Sequence, residues 1–254
     1  MTASFADQVR FDGKVVLITG ASSGFGEAMA TGFARQGADI AVCGRRLDRV
    51  QATAASVQEL GRRAIAVQTD VSNPQDCERF AQAAIEQLGR IDVLINNAGI
   101  GTAAPMTREN PEDFRRVIEV NLNGAYWMSQ SAVRRMPDGG AIINIASVLG
   151  SMTTGLPQAA YSASKAGMLG LTMDLAAQLT GRKGIRVNAI APGYFLTEMT
   201  EPQKDFMQGV ADRIPAGRLG KISEVVNAAI FLASDAASYI SGANLPVDGG
   251  LLVT

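Results

Sequence analysis

Short apolar, β-branched runs alternate with longer amphipathic stretches along nearly the whole chain, and this alternation limits the fold more than any other feature. Residues 14–19, 40–43, 64–67, 91–95, 141–145 and 185–190 read as strands. Their almost unbroken apolar character suits strands buried on both faces, as a parallel sheet requires. Helical spacing fills the intervals, including 24–36, 47–61, 74–88 and 111–120. Strand-helix alternation of this kind predicts βαβ units, hence an α/β fold: a Rossmann-like, doubly wound parallel sheet with helices on both faces. A length of 254 residues without repeat, low-complexity tract or linker predicts one domain over 1–254.

The first strand runs into Thr19-Gly20-Ala21-Ser22-Ser23-Gly24-Phe25-Gly26, which opens a helix. Glycines at these positions permit a tight turn, close approach of backbone N–H groups to a pyrophosphate, and close packing of helix on sheet. The helix start turns its positive dipole end toward an anion. The spacing is G-x3-G-x-G, which departs from the common G-x-G-x-x-G fingerprint. Its place between the first strand and the first helix still predicts a dinucleotide site.

The end of the second strand reports which dinucleotide. An acid there would bind a ribose 2′-hydroxyl, whereas arginine accommodates a 2′-phosphate. The chain has Cys43-Gly44-Arg45-Arg46, with glycine where an acid could stand. Two guanidiniums suit a phosphate, so NADP(H) is favoured and NAD(H) is possible. The alternative is a solvated helix start, partly paired by Asp48.

The chain holds no histidine. Ser-His-Asp and Cys-His nucleophiles and His-ligated zinc are thereby excluded, and proton chemistry must use another, tuned group. Cys43 and Cys77 form no CxxC pattern, so neither a disulfide framework nor a metal site is expected. The 23 basic and 24 acidic residues lack a basic block, which argues against nucleic-acid binding. With no apolar run of membrane-spanning length and no signal-peptide pattern, a cytoplasmic location is expected.

Tyr161-Ser162-Ala163-Ser164-Lys165 sits at the start of a small-residue-rich helical stretch, and residues four apart share a helix face. A free phenol titrates near pH ~10; a nearby cation lowers that value and would bring Tyr161 toward the working range. Ser147 follows the strand at 141–145, where a substrate oxygen could be held.

With these features the chain resembles the short-chain dehydrogenase/reductase family over nearly its whole length. Further motifs carry the resemblance in order: Asp70-Val71, Asn96-Asn97-Ala98-Gly99, Asn121-Leu122-Asn123-Gly124, Pro192-Gly193 with Thr197, and Pro246-Val247-Asp248-Gly249-Gly250. The resemblance implies that Tyr161 is the general acid or base, that Ser147 orients the carbonyl or alcohol oxygen, and that Lys165 lowers the tyrosine pKa and binds the nicotinamide ribose. It implies that Asn121 holds a water in a proton relay. The implied cofactor set is Gly20, Ser22, Ser23, Gly24, Phe25, Gly26, Arg45, Arg46, Asp70, Val71, Asn97, Ala98, Gly99, Val120, Tyr161, Lys165, Pro192, Gly193, Phe195 and Thr197. Structural alternatives stand beside some of these roles: a turn former for Asp70, a helix cap for Thr197, a structural amide for Asn121. Thirteen residues separate Ser147 from Tyr161, one more than in many members, and Ser23 replaces a basic residue that some NADP-preferring members carry.

The implied reaction is NADP(H)-dependent interconversion of a ketone and a secondary alcohol, with no metal and no covalent intermediate. The expected substrate wall comprises Ser147, Leu149, Met152, Leu156, Tyr161, Met199 and Phe206, mostly apolar, which suits a neutral small molecule. The segment 194–217 is expected to cover the substrate, or to be a helical excursion packed on the core. Alternatives are a 3-oxoacyl-[acyl carrier protein] reductase, a sugar or polyol dehydrogenase, and a non-catalytic NADP(H)-binding regulator. The family also implies a homotetramer.

Overall fold

The computed structural model describes residues 4–198 and 209–254. After a four-residue α1 (Phe5–Gln8), strands β1 (Val15–Thr19), β2 (Asp39–Gly44), β3 (Ala64–Gln68), β4 (Val93–Asn96), β5 (Gly140–Ile145), β6 (Ile185–Pro192) and β7 (Asn244–Val247) form one sheet. Its order is β3-β2-β1-β4-β5-β6-β7 and every pairing is parallel.

Alternation along each strand sends successive side chains to opposite faces. On one face Val16, Ile18, Ile40, Val42 and Ile143 pack against Met29 and Phe33 of α2 (Gly24–Arg35), Val50 and Val57 of α3 (Leu47–Glu59), and Val225 and Ile230 of α8 (Ile222–Ala233). On the other, Leu17, Ala41, Leu94, Ile142 and Val187 meet Phe80 of α4 (Pro74–Leu88), Met128 of α6 (Gly124–Val133) and Leu175 of α7 (Ala159–Lys183). The central strands are mostly apolar because both faces are covered, with Asn96, Asn144 and Asn188 among the buried exceptions. Cys43 and Cys77 are free thiols buried in the second layer.

Local signals set the helix limits. Asn73 accepts a hydrogen bond from the Gln75 N–H at 3.0 Å, Pro74 opens α4, and Gly89 at φ +91° ends it. The helix expected at 111–120 ends differently. α5 (Pro111–Ile118) passes into a wider π-type turn, Glu119–Asn123, and then directly into α6. Such turns insert residues into a helical ladder and re-aim the side chains they carry.

The sheet edges depart from the expectation of two-sided burial. β3 is half-exposed, and β7 alternates between exposed and partly buried positions. The apolar pattern predicts no strand at 244–247, because Asn244 and Pro246 interrupt it; proline is tolerated on an edge strand.

The chain steps outward from β1 to β3 and then returns to place β4 on the other side of β1. That reversal opens a crevice at the carboxyl ends of β1 and β4, where open α/β sheets hold ligands. Buried amides stiffen its floor. Asn96 at the end of β4 donates to Asn144 Oδ1 and Ser129 Oγ at 2.9 Å each, and Asn144 donates to Thr172 Oγ1 at 2.9 Å. These bonds tie β4 and β5 to α6 and α7.

Candidate active site

A cleft of about 720 Å³ lies over the carboxyl ends of the strands, within the size range of small-molecule sites. Its first wall is the glycine turn. Gly20 has φ +65°, and a Cβ there would stand 2.6 Å from the Ala98 Cα. A Cβ on Gly26 would lie 2.5 Å from the Gly20 carbonyl oxygen and 2.7 Å from Asn97 Nδ2. Gly26 therefore does not line the cleft; it lets α2 approach the turn.

Asn97 serves the same turn, donating from Nδ2 to the carbonyls of Thr19 and Gly20 at 3.0 Å each. Thr19 Oγ1 accepts the N–H groups of Asn97 and Ala98, both at 3.0 Å. Ser22, Ser23, Gly24, Phe25, Ala98 and Gly99 border the open space.

Arg45 and Arg46 both reach this end of the cleft but differ in state. Arg46 is engaged, donating to both carboxylate oxygens of Glu198 at 2.6 and 3.0 Å and to the hydroxyls of Ser22 and Ser23 at 3.0 and 3.3 Å. The Arg45 side chain has no hydrogen bond or ion pair among the described residues. Asp48, suggested by sequence as a partner, makes no ion pair among them either. Asp70, Val71 and Val120 form the adjoining wall. Asp70 uses Oδ1 to accept from the Ser72 N–H at 3.0 Å and hydroxyl at 2.7 Å, so it shapes a turn while bordering the cleft.

At the far end stand Ser147, Tyr161 and Lys165. Ser147 follows β5 in an extended conformation, and its Oγ accepts from the Leu149 N–H at 3.1 Å. Tyr161 and Lys165, one turn apart on α7, meet as the spacing predicted: the Lys165 ammonium lies over the Tyr161 ring, 5.5 Å from its centroid. It donates to the Ile145 carbonyl at 2.7 Å and is 3% exposed.

The titration of the pair departs from the sequence expectation. Burial pushes the Tyr161 phenol above its ordinary value, and a hydrogen bond with Ser147 pulls it partly back. Burial also lowers Lys165 to about 8. Desolvation, which penalises whichever form is charged, is the largest cause for both groups.

Asn121 lies in the π-type turn, fully buried beneath the cleft. Its Oδ1 accepts from the Ile100 N–H at 2.8 Å and its Nδ2 donates to the Ile100 carbonyl at 2.9 Å and to Ser164 Oγ at 3.0 Å. It thus holds the strand-end loop to α7.

Pro192 at the end of β6, with Gly193, Phe195 and Thr197 just beyond it, closes the remaining side. Gly193 permits close passage of the chain, since a Cβ there would be 2.8 Å from the Asp248 Cα. Phe195 packs edge-on to Phe25 with centroids 5.1 Å apart.

Of the expected substrate wall, Leu149 and Leu156 border the cleft with Ser147 and Tyr161. Met152 instead packs against a small cluster of Val148, Val210, Ile214 and Leu251. Met199 and Phe206 lie outside the described residues. Gln158, Thr102, Tyr194 and Glu198 line the cleft without having been singled out from sequence. Gln158 lies three residues before Tyr161, immediately ahead of α7, a position from which a side chain can face the same space.

The chain is similar to known oxidoreductases over nearly its whole length. A family model described as enoyl-(acyl carrier protein) reductase matches residues 20–252. The chain is 39% identical over 252 residues to L-rhamnose 1-dehydrogenase (NAD(P)(+)) of Sphingomonas sp. (strain SKA58), covering 95% of this chain and 97% of that one. It is 39% identical over 249 residues to the 3-oxoacyl-[acyl-carrier-protein] reductase FabG of Thermotoga maritima, covering 96% and 100%. The crystal structure of a gluconate 5-dehydrogenase from Burkholderia cenocepacia J2315 in complex with NADP and tartrate superposes with TM-score 0.94 at 35% identity, covering 99% of this chain and all (100%) of that one. The chain belongs to the short-chain dehydrogenase/reductase family and is an oxidoreductase acting between CH–OH and C=O groups.

Proposed function

We propose that the protein is an NADP(H)-preferring oxidoreductase that interconverts a ketone and a secondary alcohol, with Tyr161 as general acid and base. The observation that carries this reading is the meeting, in one cleft, of the glycine turn and two arginines at one end with Ser147, Tyr161 and Lys165 at the other. The residues suit a dinucleotide: the turn is bare of side chains where a Cβ would collide, and Arg45, without a side-chain partner among the described residues, can fork onto a 2′-phosphate.

When bound, the nicotinamide would supply or accept the hydride. The chain does the rest. Ser147, oriented by the Leu149 N–H, positions the substrate oxygen against the phenol. Tyr161 gives its Oη proton to that oxygen during reduction and takes it back during oxidation. Burial keeps the phenol protonated at neutral pH, which suits the reductive direction. Lys165 stands 3.6 Å from where a Gly99 Cβ would be, so the absence of a side chain at Gly99 leaves room for a ribose hydroxyl beside the ammonium. Asn121 fixes the Ile100 loop and supports a water-mediated proton relay.

A sugar or polyol substrate is a second reading, favoured by the polar residues Gln158 and Thr102 on the substrate side. Thr102 Oγ1 is buried without a hydrogen-bond partner in the described structure, and a substrate hydroxyl would satisfy it. Reduction of a 3-oxoacyl carrier-protein thioester lacks such a specific observation here. The complete Asn121, Ser147, Tyr161 and Lys165 set weighs against a purely regulatory binder, which needs no positioned phenol.

Four cleft residues, Tyr194, Phe195, Thr197 and Glu198, come from the start of the segment 194–217, which supports its proposed role as substrate cover. A homotetramer accords with Met173 of α7, an apolar side chain left 59% exposed; light scattering tests it. The decisive experiment is a panel of ketones, secondary alcohols, sugars and polyols assayed in both directions with both cofactors. NADPH-dependent ketone reduction exceeding NADH-dependent turnover is expected. Nucleotide binding without turnover across the panel would overturn the catalytic reading.

A further inference from the structure

The state of Arg46 bears on cofactor choice. Its two terminal nitrogens are committed to the two oxygens of Glu198, in a fork at 2.6 and 3.0 Å. One of them also donates to Ser22 and Ser23, so the guanidinium faces the glycine turn. This is the geometry that a phosphate would take, and a carboxylate occupies it. Glu198 is ionised at any working pH: the Arg46 guanidinium and the Ser23 hydroxyl hold its carboxyl down to about 2. Arg45, the next residue, carries its charge at the same rim and makes no side-chain hydrogen bond or ion pair among the described residues.

We propose that Glu198 is a specificity-determining residue that competes with the cofactor's 2′-phosphate for Arg46. The proposal rests on the dinucleotide reading of the cleft. A 2′-phosphate brought in by Arg45 can fork onto Arg46 only by displacing Glu198, and it then lies beside a carboxylate of like charge. A dinucleotide with a free 2′-hydroxyl makes no such demand and leaves the Arg46–Glu198 pair intact. Glu198 therefore narrows the preference for NADP(H) that the two arginines create, and favours release of the phosphorylated cofactor. Because both partners are about half-exposed, the effect is moderate, about twofold to fivefold in affinity.

The test is fluorescence titration of NADPH and NADH with the wild type, Glu198→Gln and Glu198→Ala at fixed ionic strength, with thermal melts to establish folding. Both variants should bind NADPH about twofold to fivefold more tightly while NADH affinity stays within about 1.5-fold, and added salt should shrink the gain. An NADPH affinity that is unchanged or weakened, or an equal gain for both nucleotides, overturns the proposal while leaving the cleft a dinucleotide site. A wild type that binds neither nucleotide overturns the dinucleotide reading itself, and this proposal with it.

Discussion

The Lys165 ammonium sits over the face of the Tyr161 ring, 5.5 Å from its centroid, and donates to the Ile145 carbonyl at 2.7 Å. One charge thus serves two neighbours from inside the protein. Burial lowers Lys165 from 10.5 to about 8, so between those values the unfolded chain binds a proton that the folded chain does not. Stability should rise with pH across that window, and the full cost of the buried ammonium is present below it. Denaturant unfolding at several pH values should show wild type gaining about 2 kcal/mol on Lys165→Met between pH 8 and 10. A difference that stays flat with pH would show that the ammonium carries no burial cost.

Tyr161→Phe removes one hydroxyl and leaves the ring beneath the ammonium. Turnover should fall by about 10²–10⁴ while nucleotide affinity changes little. Because burial raises the phenol, the base form is populated only toward alkaline pH, so alcohol oxidation by the wild type should accelerate as pH rises. With no histidine in the chain, imidazole cannot account for that rise. Wild-type turnover in the variant would exclude Tyr161 as the proton donor.

Arg45→Ala should weaken NADPH by about tenfold or more, the scale of one charge-assisted hydrogen bond, and should alter NADH far less. Parallel titrations of both nucleotides measure this. Equal losses would mean that Arg45 does not read the 2′-phosphate.

Gly26→Ala places a methyl group 2.5 Å from the Gly20 carbonyl and 2.7 Å from Asn97. Both neighbours are held by hydrogen bonds to each other, so the turn must shift. A stability loss of about 1–3 kcal/mol is expected, with weaker binding of both nucleotides. Gly181→Ala, in α7 with open space around the new methyl, should instead stabilise by up to about 1 kcal/mol. Thermal or denaturant melts of the pair separate the steric effect from helix propensity.

Most of the sheet was legible because parallel strands covered on both faces need continuous apolar runs, as at Leu17-Ile18 and Ile142-Ile143. The strand at 244–247 leaves no such signal, because an edge strand carries no such requirement and admits Pro246. The π-type turn at Glu119–Asn123 leaves no periodic trace, since a shift of one residue changes the ladder and not the composition. Met152 could not be told from a cleft residue, because an apolar side chain looks the same whether it faces a substrate or the Val148, Val210, Ile214 and Leu251 cluster.

The amino-acid order by itself determined the doubly wound class, the glycine turn after β1, and Tyr161 and Lys165 as neighbours on a helix face. All are properties of order and spacing along the chain, the last two within a few consecutive residues. Tertiary structure alone decided what those groups experience. It brought Glu198 onto Arg46 across 152 positions, and tied Asn121 to a loop 21 positions earlier. It also buried Tyr161 and Lys165 so that desolvation is the largest influence on their titration. Hydrogen bonds, ion pairs and burial depend on distances through space, and the packing of the sheet and its helices sets those distances.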